Sequence, residues 1–176
     1  WMLEFRLKAY NTFKKYPMPK FGPDLSELDF DSYTYFTRPS EKEQRNWDDV
    51  PDTIRETFDK LGIPEAEREG LAGVGAQYDS ELVYHNIKNE VSKTGVVYLG
   101  IEEAMNHPEY GKIFAEHFMK LVPPDDHKFA ALHGALWSGG SFVYVPKDVS
   151  VEFPLQSYYR FNAPGAGQFE HTLIIL

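Results

Sequence analysis

The spacing of hydrophobic residues changes near residue 138. Before this point, most apolar residues recur every three or four positions, which is typical of helices that bury one face. Residues 1–16 show this spacing most clearly, and Pro17 ends the predicted helix. Its apolar face consists of Trp1, Phe5, Ala9 and Phe13. The same spacing predicts helices over 53–61 and over about 109–121. Start signals predict two more, one that Pro64 opens and one over about 127–137 that Asp125 or Asp126 caps.

Residues 70–99 carry less regular patterns. Gly73-Val74-Gly75 predicts a flexible turn, because no strand precedes it and no Lys-Ser/Thr pair of a phosphate loop follows it. Asp79-Ser80 predicts the N-cap of a helix that ends at Gly95. The apolar stripe of this helix would be Val83, Ile87 and Val91. Residues 96–99 predict a short strand.

Beyond Gly139-Gly140, Val, Phe and Tyr alternate with polar residues, which is the period of a β-strand. The alternating segments are 142–145, 149–155 and the residues from Gln168 onward. We therefore predict an α+β fold with two parts. A helical region covers residues 1–137, and a β-region covers residues 138–176.

The chain is acidic, with 27 Asp and Glu against 18 Lys and Arg and a formal net charge of −9. Such a chain is poorly suited to bind nucleic acid or an anionic membrane surface. The charge is uneven, because residues 1–21 hold five basic residues and one acidic residue, while 22–59 hold four basic and eleven acidic. Residues 22–52 predict an extended acidic arm that aromatic rings anchor to the surface.

The chain contains no cysteine, which excludes disulfides and thiolate chemistry within these residues. No apolar run approaches the roughly 20 residues that span a membrane, and no signal-peptide pattern is present. We therefore expect a cytoplasmic protein. The chain begins at Trp1 and closes on the strand-like run 172–176, so we also expect a fragment of a longer polypeptide.

Patterns that indicate catalysis or metal binding are weak. The six histidines lack the i, i+4 spacing of a helical zinc pair. Ser138 lies in a glycine-rich turn from a helix to a strand, which is the reverse of the order in a nucleophile elbow. Adjacent carboxylates favour caps and turns over an acid–base pair. These pairs are Asp48-Asp49, Glu102-Glu103 and Asp125-Asp126.

Arg160 and Asn162 belong to a polar face of a predicted strand. They follow Gln156 and Tyr158 at a period of two, so the four side chains share one side. The opposite side continues the apolar positions that precede it. Arg160 is therefore predicted to point away from the core, unless a bulge reverses the alternation.

Several sequence blocks resemble the SufB/SufD family of the SUF iron–sulfur cluster assembly system, in particular its SufB scaffold group. The blocks are Tyr78-Asp79-Ser80-Glu81, Trp137-Ser138-Gly139-Gly140-Ser141, Pro154-Leu155-Gln156 and Gly167-Gln168-Phe169-Glu170. The resemblance covers essentially the whole chain. It departs at His133-Gly134-Ala135-Leu136, where many members have Asn-Thr-Ala-Val, and at His171, where Arg is common.

The resemblance implies an N-terminal helical region followed by the first rungs of a right-handed β-helix, here truncated. It implies a scaffold rather than an enzyme, acting with a SufC-type ATPase, with SufD and with a sulfur donor of the SufE or SufU type. The family's cysteine ligands lie further along the chain. We therefore expect no cofactor on this fragment and an iron–sulfur cluster on the full-length protein. Arg160 and Asn162 match positions proposed to line a sulfur-transfer path.

Two other hypotheses remain open. The chain could be a stand-alone protein-interaction module that binds through its acidic arm and aromatic residues, with no role in cluster assembly. A hydrolase built on Ser138 is a more distant alternative. The residues that follow Leu176 distinguish the first two, because the scaffold requires further β-helix rungs and downstream cysteines.

Overall fold

The computed structural model describes residues 1–38, 44, 46–62, 71–161 and 163–176. Its α-helices are α1 (Met2–Lys15), α2 (Asp52–Asp59), α3 (Asn89–Ser92), α4 (Ile101–Asn106), α5 (Gly111–His117) and α6 (Lys128–Leu136). Its strands are β1 (Gly73–Tyr78), β2 (Glu81–Ile87), β3 (Val97–Gly100), β4 (Ser141–Tyr144), β5 (Leu155–Arg160) and β6 (Leu173–Ile175). The predicted α+β class is confirmed, whereas the helix predicted from Pro64 lies outside the described residues.

Helices α1 and α6 pack against each other, and both confirm predicted helices. The N-cap of α6 is His127, whereas Asp125 or Asp126 was expected. Ala9 of α1 is buried, and a Cβ atom at Gly134 of α6 would lie only 3.2 Å from its methyl group. The glycine therefore allows the two helices to approach closely. Small residues at a crossing have this effect because the helix axes can come together without a clash.

Two long basic side chains form hydrogen bonds between α1 and α6, one at each end of the pair. Arg6 donates hydrogen bonds to the carbonyl oxygens of Ala135 at 3.1 Å and Trp137 at 2.8 Å, where α6 ends. Lys128 Nζ donates to the carbonyl oxygens of Phe13 and Tyr16, each at 2.8 Å, where α1 ends. The last carbonyls of a helix have no partner within the helix, so each cation satisfies groups that would otherwise face solvent or remain unpaired.

The strands form two three-stranded sheets, in the orders β2-β1-β5 and β3-β4-β6. In each sheet the middle strand has one antiparallel and one parallel neighbour. Both sheets combine strands from before and after residue 138, because β1, β2 and β3 precede it. The division into domains at residue 138 stays a prediction.

The flexible turn predicted at Gly73-Val74-Gly75 is wrong, because these residues begin β1 at the centre of the first sheet. The ring of Tyr98 packs against β1 and explains why residues 73 and 75 are glycines. A Cβ atom would lie 2.8 Å from Tyr98 Cδ1 at Gly73 and 2.7 Å from Tyr98 Oη at Gly75. The glycines therefore mark a close approach of another side chain to the strand, not a flexible segment.

The helix predicted from Asp79-Ser80 to Gly95 is also wrong. Asp79 and Ser80 form the turn of the β1–β2 hairpin, where Asp79 adopts a φ of 53°, and only residues 89–92 are helical. The four residues at the centre of β2 are all buried, so both faces of this strand are covered. A strand that is buried on both faces does not alternate, and its apolar positions can therefore imitate the spacing of a helix.

Two hydrophobic clusters fill the interior. The first lies between α2 and the first sheet and contains Val50, Ile54, Phe58, Leu71, Val74, Ala76, Val83 and Tyr84. The second lies between α4, α5 and the second sheet and contains Ile101, Ala104, Phe114, Phe118, Met119, Trp137 and Phe142. The predicted helices over 53–61 and 109–121 correspond to α2 and α5. The second of these is shorter than predicted, because Met119 turns to a φ of 48°.

Aromatic rings anchor the described part of the acidic arm, as predicted. Phe30 packs edge-on against Phe13 with ring centroids 5.2 Å apart, and Trp47 packs against Tyr84 at 5.1 Å. Short 3₁₀ helices at Phe30–Ser32 and Trp47–Asp49 carry these two rings. The arm also forms single β-bridges, one of which joins Thr34 to Ala166.

Strands β4, β5 and β6 confirm β-structure after residue 138, although residues 149–154 form a connection and not a strand. Among the described residues, no helix combines the length and the hydrophobicity needed to cross a bilayer.

Candidate functional site

Strand β5 positions Arg160, one of the two residues predicted to line a functional path. Arg160 is the last residue of β5, is exposed and is opposite Tyr78 in the parallel pairing with β1. Its carbonyl oxygen accepts a hydrogen bond from the backbone N–H of Asp79 at 2.8 Å, which ties the strand end to the β1–β2 turn. Its exposure does not come from the predicted alternation, because Tyr158 on the same face packs against the first hydrophobic cluster and Tyr159 on the other face is also exposed. Asn162 lies outside the described residues.

The opposite face of β5 carries a cluster of buried hydroxyl groups that joins the two sheets. Ser157 Oγ lies 2.6 Å from Tyr98 Oη of β3 and 2.9 Å from Ser141 Oγ of β4. Tyr98 Oη also donates to the carbonyl oxygen of Gln156 at 3.0 Å. Burial raises the pKa of Tyr98, so the phenol stays protonated and acts as a donor.

The hydroxyl cluster lies at one side of a cleft of about 500 Å³ between the two sheets. Apolar side chains form most of its remaining wall, among them Val143, Leu155 and Ile174. The sequence placed Ser157 on the core-facing side of its strand. It did not indicate that Tyr98 and Ser141 would reach the same point, because these residues are 59 and 16 positions away.

A second polar group lies where α6 turns into β4. Glu102 Oε1 accepts a hydrogen bond from the backbone N–H of Gly139 at 2.7 Å. Burial raises the pKa of Glu102 above its ordinary value of 4.5, although this hydrogen bond acts in the opposite direction. Glu102 and Glu103 lie in the first turn of α4, which agrees with the interpretation of adjacent carboxylates as caps and turns. Glu102 is half-buried and is also the acceptor for the glycine-rich turn.

Gln77 of β1 reaches the same turn from the first sheet. Its side chain is fully buried, and a Cβ atom at Gly139 would collide with its amide group. Gln77 Nε2 donates to the carbonyl oxygen of Asp79 at 3.0 Å, whereas Oε1 has no hydrogen-bond partner in the part of the chain that the structure describes. Gly139 has a φ of 68°, so glycine is required here for both the backbone conformation and the space.

Two histidines complete this polar junction. His133 Nε2 of α6 lies 2.9 Å from His171 Nδ1, so one ring donates and the other accepts. Burial and the neighbouring His133 lower the pKa of His171 from 6.5 to about 4. Burial and nearby Arg6 also lower the pKa of His133. Both rings are therefore neutral at pH 7.

These groups do not form the sites that the weaker hypotheses require. Ser138 is buried in the turn before β4, and its backbone N–H donates to the carbonyl oxygen of Phe169 at 3.0 Å. No hydrogen bond to its hydroxyl is found within the described ranges. Those ranges also contain no group of three or more His, Cys, Asp or Glu residues that could hold a metal ion.

Comparison with known proteins identifies the family. The model of the SufBD protein N-terminal region matches residues 76–157. The chain is 56% identical over 176 residues to the iron–sulfur cluster assembly protein SufB of Bacillus subtilis. It is also 56% identical over 175 residues to an iron–sulfur cluster assembly SufBD family protein of Staphylococcus epidermidis, and 54% identical to one of Staphylococcus aureus.

The aligned region covers 99–100% of this chain but only 37% of each of these relatives. The chain belongs to the SufBD family, as the sequence blocks predicted. The conclusion rests on identity over the full length of the chain, and the family model runs from the middle of β1 to the middle of β5.

Proposed function

We propose that this chain is part of a scaffold subunit for iron–sulfur cluster assembly, to which it contributes structure and docking surface. One observation carries the proposal, namely 56% identity over all 176 residues to a protein named for that role. At this identity, the packing of both cores and the position of β5 are expected to be shared with the relative. The chain is proposed to be a non-catalytic platform in the cytoplasm.

The residues that bind the cluster are proposed to lie outside this chain. Iron–sulfur clusters are held by cysteine thiolates, and residues 1–176 contain none. Cluster assembly on the full-length protein would therefore use ligands from the remaining length that the relatives have. The iron and sulfide are cargo of the scaffold and not a resident group of this region.

The right-handed β-helix is proposed from the way the strands pair. The parallel pairs β1–β5 and β4–β6 put later strands beside earlier ones in two facing sheets, which is how rungs of a parallel solenoid stack. β5 and β6 are the last strands in their sheets, so their outer edges are available for further rungs. The hydroxyl cluster between the sheets would then lie inside the solenoid.

The proposed partners follow from the family. The chain has no phosphate loop, and its nearest match, Gly73-Val74-Gly75, is buried strand. Nucleotide hydrolysis is therefore assigned to a SufC-type ATPase. SufD would be the related subunit, and a protein of the SufE or SufU type would supply sulfur. Arg160 and Asn162 are proposed to line the sulfur-transfer path.

Anaerobic reconstitution with iron and sulfide tests the proposal. The full-length protein is expected to bind iron and to develop visible absorption, whereas residues 1–176 alone are expected to do neither. Circular dichroism of the shorter chain confirms that it is folded in the comparison. Failure of the full-length protein to bind a cluster would favour the stand-alone interaction module, and uptake by the short chain would place ligands among its histidines or carboxylates.

A further inference from the structure

Gln77 is fully buried in β1, yet the packing of the core does not account for its amide group. A side-chain amide offers one acceptor oxygen and two N–H donors. In Gln77 the nitrogen donates to the carbonyl oxygen of Asp79, and the oxygen has no partner among the residues that the structure describes. A buried acceptor without a partner destabilises the folded state, so an apolar side chain of the same size would suit this position better. The amide therefore needs an explanation other than stability.

The strand is irregular on one side of Gln77 and regular on the other. The pairing of β1 with β2 shifts between Ala76 and Gln77, where β2 contains one extra residue. Such a bulge bends the strand and redirects nearby side chains, and bulges occur often beside functional sites. The parallel pairing of β1 with β5 has no such shift, and it places Tyr78 opposite Arg160. Gln77 therefore lies one position from the residue that pairs with Arg160.

Two hydrogen bonds connect the Gln77 amide to the end of β5. Gln77 Nε2 donates to the carbonyl oxygen of Asp79 at 3.0 Å, and the backbone N–H of Asp79 donates to the carbonyl oxygen of Arg160 at 2.8 Å. Asp79 has a φ of 53°, a conformation that residues other than glycine adopt rarely and that neighbouring contacts must stabilise. The two bonds hold Asp79 from both sides, so the Gln77 amide contributes to the position of Arg160.

The glycine-rich turn after α6 holds the Gln77 amide in place. A Cβ atom at Gly139 would lie 2.8 Å from Gln77 Nε2, so the backbone of the turn lies directly against the amide. Gly139 is itself fixed on both sides. Its N–H donates to Glu102 at 2.7 Å, and its carbonyl oxygen accepts from the N–H of His171 at 3.1 Å. Gln77 therefore connects a rigid turn to the β1–β2 turn.

We propose that Gln77 is a positioning residue for Arg160. Its amide fixes the conformation of Asp79, and Asp79 in turn holds the end of β5, from which the Arg160 side chain is proposed to line the sulfur-transfer path. This inference rests on the proposed function, because Arg160 needs a fixed position only if that path exists. Gln77 touches neither sulfur nor iron and acts through the backbone of Asp79.

Hydrogen exchange of the Asp79 amide, measured by NMR of the full-length protein, tests the structural part of the proposal without iron or sulfide. Gln77→Met keeps the length of the side chain and removes both polar atoms. This variant is expected to speed exchange at Asp79 at least about fivefold, because the bond to Arg160 should open more often. Ser80→Ala is the matched control. Ser80 is buried in the same turn, and its hydroxyl accepts from the N–H of Thr37 at 2.9 Å and not from β5.

The rate of sulfur-dependent cluster assembly on the full-length protein tests the functional part. Gln77→Met is expected to slow assembly by about three- to tenfold, at or below the lower end of the effects of supporting residues. Ser80→Ala should keep the wild-type rate. The urea midpoint of Gln77→Met should stay close to that of the wild type, because loss of the unpartnered oxygen offsets loss of the hydrogen bond.

A double-mutant cycle provides the readout that a general structural role would not move. If Gln77 acts through Arg160, then Gln77→Met should slow assembly no further in a protein that already carries Arg160→Ala. Slowing by the same factor in both backgrounds would overturn the inference, because Gln77 would then support the fold as a whole. If Gln77→Met does not fold, Gln77→Leu, which also lacks the donor, takes its place in the cycle.

The remaining outcomes separate this inference from the proposed function. Unchanged exchange at Asp79 in Gln77→Met, or an equal loss of rate in Ser80→Ala, would overturn the inference and leave the scaffold function intact. Absence of cluster assembly on the wild-type protein would overturn the scaffold function, and a wild-type rate in Arg160→Ala would overturn the path. Either result would also remove the role proposed for Gln77.

Discussion

The α1–α6 pair and the β1–β2 hairpin differ in which side chains bury them. Helix α1 buries one face, whose residues repeat along the sequence at the spacing of a helix, whereas α6 is apolar and has no exposed residue. The hairpin is covered on both sides by side chains from distant parts of the chain, above all Tyr98. Local sequence determines the first structure, whereas long-range contacts determine the second.

Trp137 offers the largest effect, because it lies at the end of α6 inside the second hydrophobic cluster. It is fully buried between Phe118, at 5.1 Å between ring centroids, and the guanidinium of Arg6, at 4.7 Å from its ring. Trp137→Ala is expected to lower the free energy of unfolding by about 3–5 kcal/mol. Urea unfolding measures the loss. Trp1→Ala, which removes a ring that is 56% exposed, should cost less than half as much.

Gly75 tests whether Tyr98 determines the conformation of β1. Gly75→Ala should cost about 1–3 kcal/mol, because the new methyl group would lie 2.7 Å from Tyr98 Oη. Tyr98→Phe removes that oxygen, so the double variant should be more stable than the sum of the two single effects implies. Purely additive free energies of unfolding would show that Gly75 is required for backbone conformation and not for space.

The histidine pair predicts how stability depends on pH. The pKa of His171 is lowered from 6.5 to about 4, so between these values the unfolded chain binds more protons than the folded chain. The free energy of unfolding should therefore fall as the pH is lowered from 6.5 to 4, by about 1–3 kcal/mol. His171→Gln should flatten this dependence in urea unfolding at pH 7.0, 5.5 and 4.5. Parallel profiles for the two proteins would contradict the assignment.

Arg160 and Asn162 should affect function with the smallest change in stability. In the full-length protein, Arg160→Ala and Asn162→Ala are each expected to slow sulfur-dependent cluster assembly by about tenfold, the scale of supporting residues in metal sites. The free energy of unfolding should change by less than about 0.5 kcal/mol for exposed Arg160. Gln156→Ala, which changes another exposed residue of β5, is the control. An equal loss in the control would indicate damage to the strand.

The sequence predicted what depends on neighbouring residues. The helix over 1–16 follows from a period of about four and is confirmed. The period of two did not predict β5 correctly, because the face of Arg160 also carries Tyr158, which packs against the first hydrophobic cluster. The β1 strand could not be predicted in this way, since its glycines are explained by a tyrosine more than twenty residues later. The polar junction was missed for the same reason, because Glu102 and Gly139 are 37 residues apart.

The β-helix and the partners also could not be predicted from local sequence pattern alone. The parallel pairing of β1 with β5 has no signature in either strand alone, because parallel neighbours are joined by long connections. The resemblance to the SufB/SufD family led to the β-helix and partner predictions, which hydrophobic periodicity does not provide. It gave the order of the blocks, and the identity to the relatives covers the same 176 residues.

The hydrogen bonds of Arg6 have a consequence for synthesis of the protein. Its acceptors on Ala135 and Trp137 lie 129 and 131 residues further along the chain. At 5–20 residues per second, α1 leaves the ribosome about 6–25 s before α6 can cover it. Throughout that interval the apolar residues of α1 that pack on α6 are open to other proteins. The nascent chain is therefore expected to need a chaperone early, and to release it only when α6 emerges.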